Sequence, residues 1–315
     1  MERIAPADPI ARPRRRARRW LARITISLVV LLLVAYVGIS ALAANILTTP
    51  RRAWSEQTPA SLGLEFRDTT FPARGGDVTI AGWFIPHASA QRAIVLVHGK
   101  DSSRTEEFGG HFVDLAAGLY QRGFAVLMID MRGHGLSGDA HFSFGLNERR
   151  DVEGAVDWLK SQGFQPGRIG VLGISMGAAA SIGAAVDDSD IGALVEDCSY
   201  AEILPVIQAQ WRGASGMPDF FLPSTLLMGR ILFGYDVATA RPVDEIGRLA
   251  PRPLLIIHGT ADRLVPLAHA EQLHVAYPTA EFWQIPGAGH ARSFEANPQT
   301  YVERVAGFFD RNLHP

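Results

Sequence analysis

Gly173-Ile174-Ser175-Met176-Gly177 stands where the apolar run RIGVLG gives way to the small-residue stretch AAASIGAAV. A serine placed so, between a strand and a helix, fits a nucleophile elbow. So tight a turn imposes strained backbone angles on the serine, and glycines two before and two after relieve the crowding. The exposed Oγ then lies near a helix N-terminus, whose dipole favours developing negative charge. A serine alone attacks poorly. A base must take its proton, and a carboxylate must fix that base's tautomer. Both should follow the serine in the chain. Asp262 follows the apolar run PLLIIH within His258-Gly259-Thr260-Ala261-Asp262, and His290 follows the last such run within Pro286-Gly287-Ala288-Gly289-His290. Ser175, Asp262 and His290 are therefore the expected nucleophile, acid and base. An oxyanion needs two fixed donors. The backbone N–H groups of Met176, next after the serine, and of Lys100, after the run AIVLVH, are the expected pair.

Rival groups read differently. His98 and His258 end strands in His-Gly pairs, which suits buried, hydrogen-bonded structural roles, and His134 precedes the serine, the wrong order for the base. Asp197, at the end of the run ALVED, competes with Asp262 for the place of the acid. Asp130 reads as a brace for the Arg132-Gly133-His134-Gly135 loop through backbone N–H groups. Lys100 is one of two lysines, has no evident partner, and reads as solvated at its side chain. The single cysteine, Cys198, excludes an intrachain disulfide and a multi-cysteine zinc site, and is most simply a small core residue. With neither H-E-x-x-H nor paired cysteines present, no metal and no cofactor is expected.

Three loops so far apart in sequence meet only if strands of one sheet end along a common edge. From about Leu64 the chain supplies two strand candidates at 65–71 and 78–85 and six buried-strand patterns at 93–98, 125–130, 168–174, 193–197, 253–258 and 280–285. The first two, joined by Arg74-Gly75-Gly76-Asp77, should pair antiparallel. Helical patterns occupy 105–122, 148–162, 176–187, 267–277 and 298–312. This alternation predicts an α/β fold, a mostly parallel eight-stranded sheet with helices on both faces. Residues 199–250 are too long for a single crossover and carry Trp211, Phe220, Phe221 and Leu226. They form either helices that merely cover the sheet or a short helical cap that shapes a substrate cleft.

The first fifty residues are a different object. Ile24–Ala44 holds no charged side chain, and at 1.5 Å per residue its length is about 31 Å, the thickness of a hydrocarbon core. A transmembrane helix is expected over 24–47, with a 48–63 linker and a hydrolytic domain over 64–315. Ala41-Leu42-Ala43 offers an alternative, a signal peptide cut near Ala43 with the remainder secreted, although the apolar run exceeds an ordinary signal core. Residues 1–23 carry eight arginines against two acids, a net +6, which leaves a net −8 for the rest of the 315-residue chain. The arginines put the N-terminus in the cytoplasm and the domain on the exported side of the cell (inner) membrane. They point to anionic lipid headgroups as partner, and the overall charge of −2 gives no reason to expect nucleic acid. A composition 47% hydrophobic and 20% charged excludes fibrous and wholly disordered classes.

His98-Gly99, Asp130-x-Arg132-Gly133-His134-Gly135-x-Ser137, Gly173-x-Ser175-x-Gly177, His258-Gly259-x-x-Asp262-x-x-Val265-Pro266 and Gly289-His290, in that order, resemble the serine hydrolases of the α/β-hydrolase superfamily. The likeness covers about residues 64–313, and the apolar anchor makes it similar to the membrane-anchored, serine aminopeptidase-like group. It implies Ser175 as nucleophile, Asp262 as acid, His290 as base, and Lys100 and Met176 as oxyanion donors. The expected activity is cleavage of a small-molecule or lipid carboxylic ester or thioester through an acyl-enzyme. The alternatives are a serine peptidase on the same fold and a catalytically silent, membrane-tethered binding scaffold.

Overall fold

The computed structural model describes residues 11–313, so residues 1–10 of the basic stub and His314 lie outside the described residues. Eight strands, β1 (Arg67–Pro72), β2 (Thr79–Ile85), β3 (Ala93–Val97), β4 (Ala125–Ile129), β5 (Ile169–Ile174), β6 (Ile191–Asp197), β7 (Leu254–Gly259) and β8 (Glu281–Ile285), form one sheet. Their order is β1-β2-β4-β3-β5-β6-β7-β8. β2 runs antiparallel to β1 and β4, and every later neighbour is parallel. The reading of the strands thus holds to within two residues at each end.

Side chains alternate across the sheet, and each face has its own helices. Val95, Val97 and Leu127 pack with Val152 and Val156 of α4 (Arg149–Ser161), Ala180 and Ile182 of α5 (Met176–Asp187), and Leu273 of α9 (Ala268–Ala276). Ile94, Leu96 and Val126 pack with Phe112 and Leu115 of α3 (Phe112–Gln121) and with Tyr301 and Phe309 of α11 (Pro298–Asn312). Strands buried on both faces need apolar residues at every position, which is why β3, β4 and β5 read as continuous runs.

One expected helix is corrected. The pattern over 105–122 breaks into α2 (Glu107–Gly110) and α3, because Phe108, Gly109 and Gly110 take φ of 54°, 66° and 96°. The two glycines tolerate that left-handed geometry, and the turn sends Phe108 into the core and Glu107 beneath β3.

The insertion between β6 and β7 forms α6 (Ile203–Ser215), α7 (Leu222–Phe233) and α8 (Pro242–Glu245), and a short α10 (Ser293–Ala296) precedes α11. At the N-terminus, α1 (Ala11–Thr48) contains the expected 24–47 segment. Among the described residues it is the one helix, over Arg16–Thr48, long and apolar enough to cross a membrane. Residues 16–35 are exposed on all sides. From Tyr36 onward the helix meets the insertion and then the loop after β4: Tyr36 Oη donates to Phe220 O at 2.8 Å, Ser40 and Ser224 hydroxyls lie 2.7 Å apart, and Thr48 Oγ1 lies 3.0 Å from His141 Nδ1 in that loop. Residues 49–63 then lie against the domain. Arg51 N–H donates to Asp101, and Arg104 is buried between the rings of Trp54 and Trp83 while paired with Asp130 at 2.6 Å.

Candidate active site

β5 ends at Ile174, and the next residue turns the chain into α5 with Ser175 at φ 53°, ψ −114°. The flanking glycines explain themselves at atomic scale. A Cβ on Gly173 would lie 2.4 Å from Gly177 O, and one on Gly177 would lie 2.3 Å from His98 O. Backbone atoms cannot yield to such contacts, so β3, β5 and α5 approach closely only because both positions lack a side chain.

The loops after β7 and β8 bring the other two groups to the same edge. His290 Nε2 lies 2.9 Å from Ser175 Oγ, and His290 Nδ1 lies 2.7 Å from Asp262 Oδ2. Asp262 Oδ1 accepts the N–H groups of Leu264 and Val265, both at 2.9 Å, which fixes the carboxylate so that its other oxygen faces the imidazole. The carboxylate is fully buried and the imidazole is 19% exposed. With Nδ1–H donated to Asp262, Nε2 is left as an acceptor toward the serine hydroxyl. The backbone N–H groups of Lys100 and Met176 flank the serine and have no acceptor among the described residues.

The rivals fall away for stated reasons. His98 donates Nδ1–H to Gly99 O at 2.6 Å and accepts Met131 N–H at Nε2, and burial pushes its pKa down to about 4. His134 is tied in the same way, to Arg132 O and Asp101 N–H, with burial lowering it to about 3. His258 donates to Val265 O at 2.8 Å. Asp197 does not reach the imidazole. Its carboxylate accepts Ser293 Oγ–H at 2.9 Å and Tyr301 Oη–H at 3.0 Å, while its carbonyl accepts Ser175 N–H at 2.8 Å. Burial raises Asp197 to about 7. Asp130 braces Leu136 N–H and the buried Arg104. The Lys100 side chain is exposed, as expected, but it has a partner: its ammonium pairs with Asp101 and lies 5.1 Å from the centre of the Phe142 ring.

Two contributors escaped the reading of the sequence. Glu107 is buried, accepts Gly99 N–H at 2.5 Å, and so fixes the loop that carries Lys100. Burial raises its pKa. An acid beside Gly109-Gly110 in an apolar stretch was the available signal. Cys198 is buried in the core, as expected, where burial pushes its thiol pKa well up; its Sγ lies within 4.8 Å of the Asp262 and His290 ligand atoms. The second contributor is α1. A cavity of about 620 Å³ extends from Ser175 and His290 and is lined by Trp211 and Leu226 of the insertion and by Ala44, Leu47 and Thr48 of α1. The insertion therefore shapes a cleft and does not merely cover the sheet.

Sequence and structure comparisons agree with this architecture. YqkD of Bacillus subtilis (strain 168) is 27% identical over 237 residues, which is 73% of this chain and 75% of that protein. The Pyrococcus furiosus esterase Pf2001 superposes with a TM-score of 0.68 at 26% identity, over 84% of this chain and all of that one. A puromycin-hydrolyzing peptidase of Mycobacterium tuberculosis shares the fold, with a TM-score of 0.63 at 18% identity over 84% of this chain and 42% of that one. The sequence profile of the alpha/beta hydrolase family matches residues 94–304, the stretch that holds Ser175, Asp262 and His290, and with the sheet order above it makes this chain a member of the alpha/beta hydrolase family.

Proposed function

We propose that the protein is a membrane-anchored serine hydrolase that cleaves carboxylic esters through an acyl-enzyme. The relay from Asp262 through His290 to Ser175, at 2.7 Å and 2.9 Å, carries this reading. Ser175 Oγ attacks the carbonyl carbon while His290 Nε2 takes its proton, and Asp262 stabilises the imidazolium that results. The N–H groups of Lys100 and Met176 receive the oxyanion, and each such donor contributes about 2.7–4 kcal/mol to the transition state. Collapse of the tetrahedral intermediate expels the alcohol, protonated by His290. A water activated by the same imidazole then releases the acid and frees the serine.

An acyl group is the natural occupant of a cavity walled by Trp211, Leu222, Leu226 and Val237. The charged side chains in that wall are already engaged: Lys100 with Asp101, and Glu107 with Gly99 N–H. Neither is free for a peptide terminus, which favours an ester over a peptide. Membrane attachment through α1 rests on its length and on the exposed apolar surface of residues 24–35.

An activated-serine fluorophosphonate probe tests the reading. Labelling of the wild type that disappears in Ser175→Ala is the expected result, and folded wild type that never labels overturns it. Esters of graded chain length assayed beside aminoacyl amides should show turnover of the esters, and preference for the amides would establish a peptidase instead.

A further inference from the structure

Resting on the membrane-anchored hydrolase reading, we propose that the α6–α7 hairpin is itself sunk into the half of the bilayer nearest the catalytic domain, and that the cavity takes a long-chain acyl ester directly from that layer. If the hairpin stood clear of the membrane, α1 could cross only with residues 24–35, about 18 Å of helix against the roughly 30 Å needed. A full crossing uses residues up to Ala44, so the stretch from Tyr36 to Ala44, about 12 Å, lies at membrane depth. That stretch is where α7 packs.

Tyr36 meets Phe220 and Phe221, Ser40 meets Ser224, and Thr48 meets His141, whose ring stacks on Phe233 at 3.9 Å. Twelve residues of α1 thus run beside about twelve of α7 in the same direction, so α7 descends as deep as Tyr36.

One face of α7 and of the turn before it points away from the protein. Phe220, Leu227, Ile231 and Leu232 are 62%, 53%, 62% and 53% exposed, an apolar stripe at helical spacing along the whole element. The charges of the hairpin are neutralised in pairs, Arg212 with Asp219 at 2.8 Å and Arg230 with Asp236 at 3.3 Å. Such a face, continuous with the exposed apolar surface of α1, matches lipid tails. The cavity lies between the two helices, with Ala44 and Leu47 on one wall and Leu222 and Leu226 on the other.

The test uses the full chain reconstituted in phosphatidylcholine vesicles containing phosphatidylglycerol. A fluorophore on Leu227→Cys or Ile231→Cys should be quenched by nitroxide-bearing lipid and shielded from aqueous iodide. Iodide quenching without nitroxide quenching overturns the proposal, as does cross-linking of Ile231→Cys between two copies with neither quencher effective. A double variant, Leu227→Ser with Ile231→Ser, should lose at least tenfold in hydrolysis of a vesicle-borne palmitoyl ester and keep its rate on a water-soluble acetyl ester. An unchanged ratio of the two rates overturns lateral uptake. Ser175→Ala separates the layers of argument: residual hydrolysis there sinks the serine-hydrolase reading, while the quenching result still decides insertion.

Discussion

Asp197 and Asp262 end or follow neighbouring strands, yet their surroundings give them opposite chemistry. Asp262 accepts two backbone N–H groups at one oxygen and the imidazole at the other. An amide at that position would present an NH₂ toward Nδ1 and favour the wrong tautomer. Asp262→Asn should therefore keep the fold and lower turnover by about 10⁴-fold, read as kcat on a soluble ester. Asp197 is enclosed, and burial raises it from its ordinary 3.8 to about 7, so the folded chain prefers its proton. The stability this gives is full below about pH 4 and is lost as pH rises toward 7. Asp197→Asn has no such proton to lose. Melting curves of wild type should fall relative to the variant between pH 4 and 7, and parallel curves would refute the assignment. The sequence placed both aspartates at the same sheet edge and favoured Asp262 as the acid, with Asp197 still in competition. That choice depends on Ser293 and Tyr301, about a hundred residues away, which no local pattern connects to Asp197.

At the scale of elements, the elbow depends on how closely β3, β5 and α5 approach. Gly177→Ala would place a Cβ 2.3 Å from His98 O and 2.7 Å from Val97 O. Overpacking of this kind costs about 1–3 kcal/mol, measurable as a lowered denaturant midpoint, and should move Ser175 enough to suppress fluorophosphonate labelling. Strand positions were legible because apolar runs of five to seven residues between turn signals have few other solutions. The break in the 105–122 helix was not. Apolar periodicity continues from Phe108 through Leu119, and what opposes it is the burial of Glu107 against Gly99 N–H, a contact made in space and not along the chain.

At the scale of the molecule, α1 is two things in series. Residues 24–35 are exposed throughout, and nothing but apolarity constrains them. Replacing that stretch with a leucine-alanine helix of equal length should leave vesicle-borne ester hydrolysis within about twofold, since surface changes away from special contacts are usually within about ±0.5 kcal/mol. The same replacement over 36–48 removes the Tyr36, Ser40 and Thr48 contacts and should reduce that activity severely. The linear reading treated the anchor and the catalytic domain as separate bodies, because composition changes sharply between them.

The wall that α1 gives to the cavity has a consequence for how selectivity is assigned. Ala44, Leu47 and Thr48 belong to α1, the anchor under the function proposed above, and they also line the cavity proposed to take the acyl chain. Chain-length preference is then inherited partly from the tether. A version trimmed of α1 would have a different ruler for its substrate, and its selectivity profile would describe that shortened protein and not the full chain.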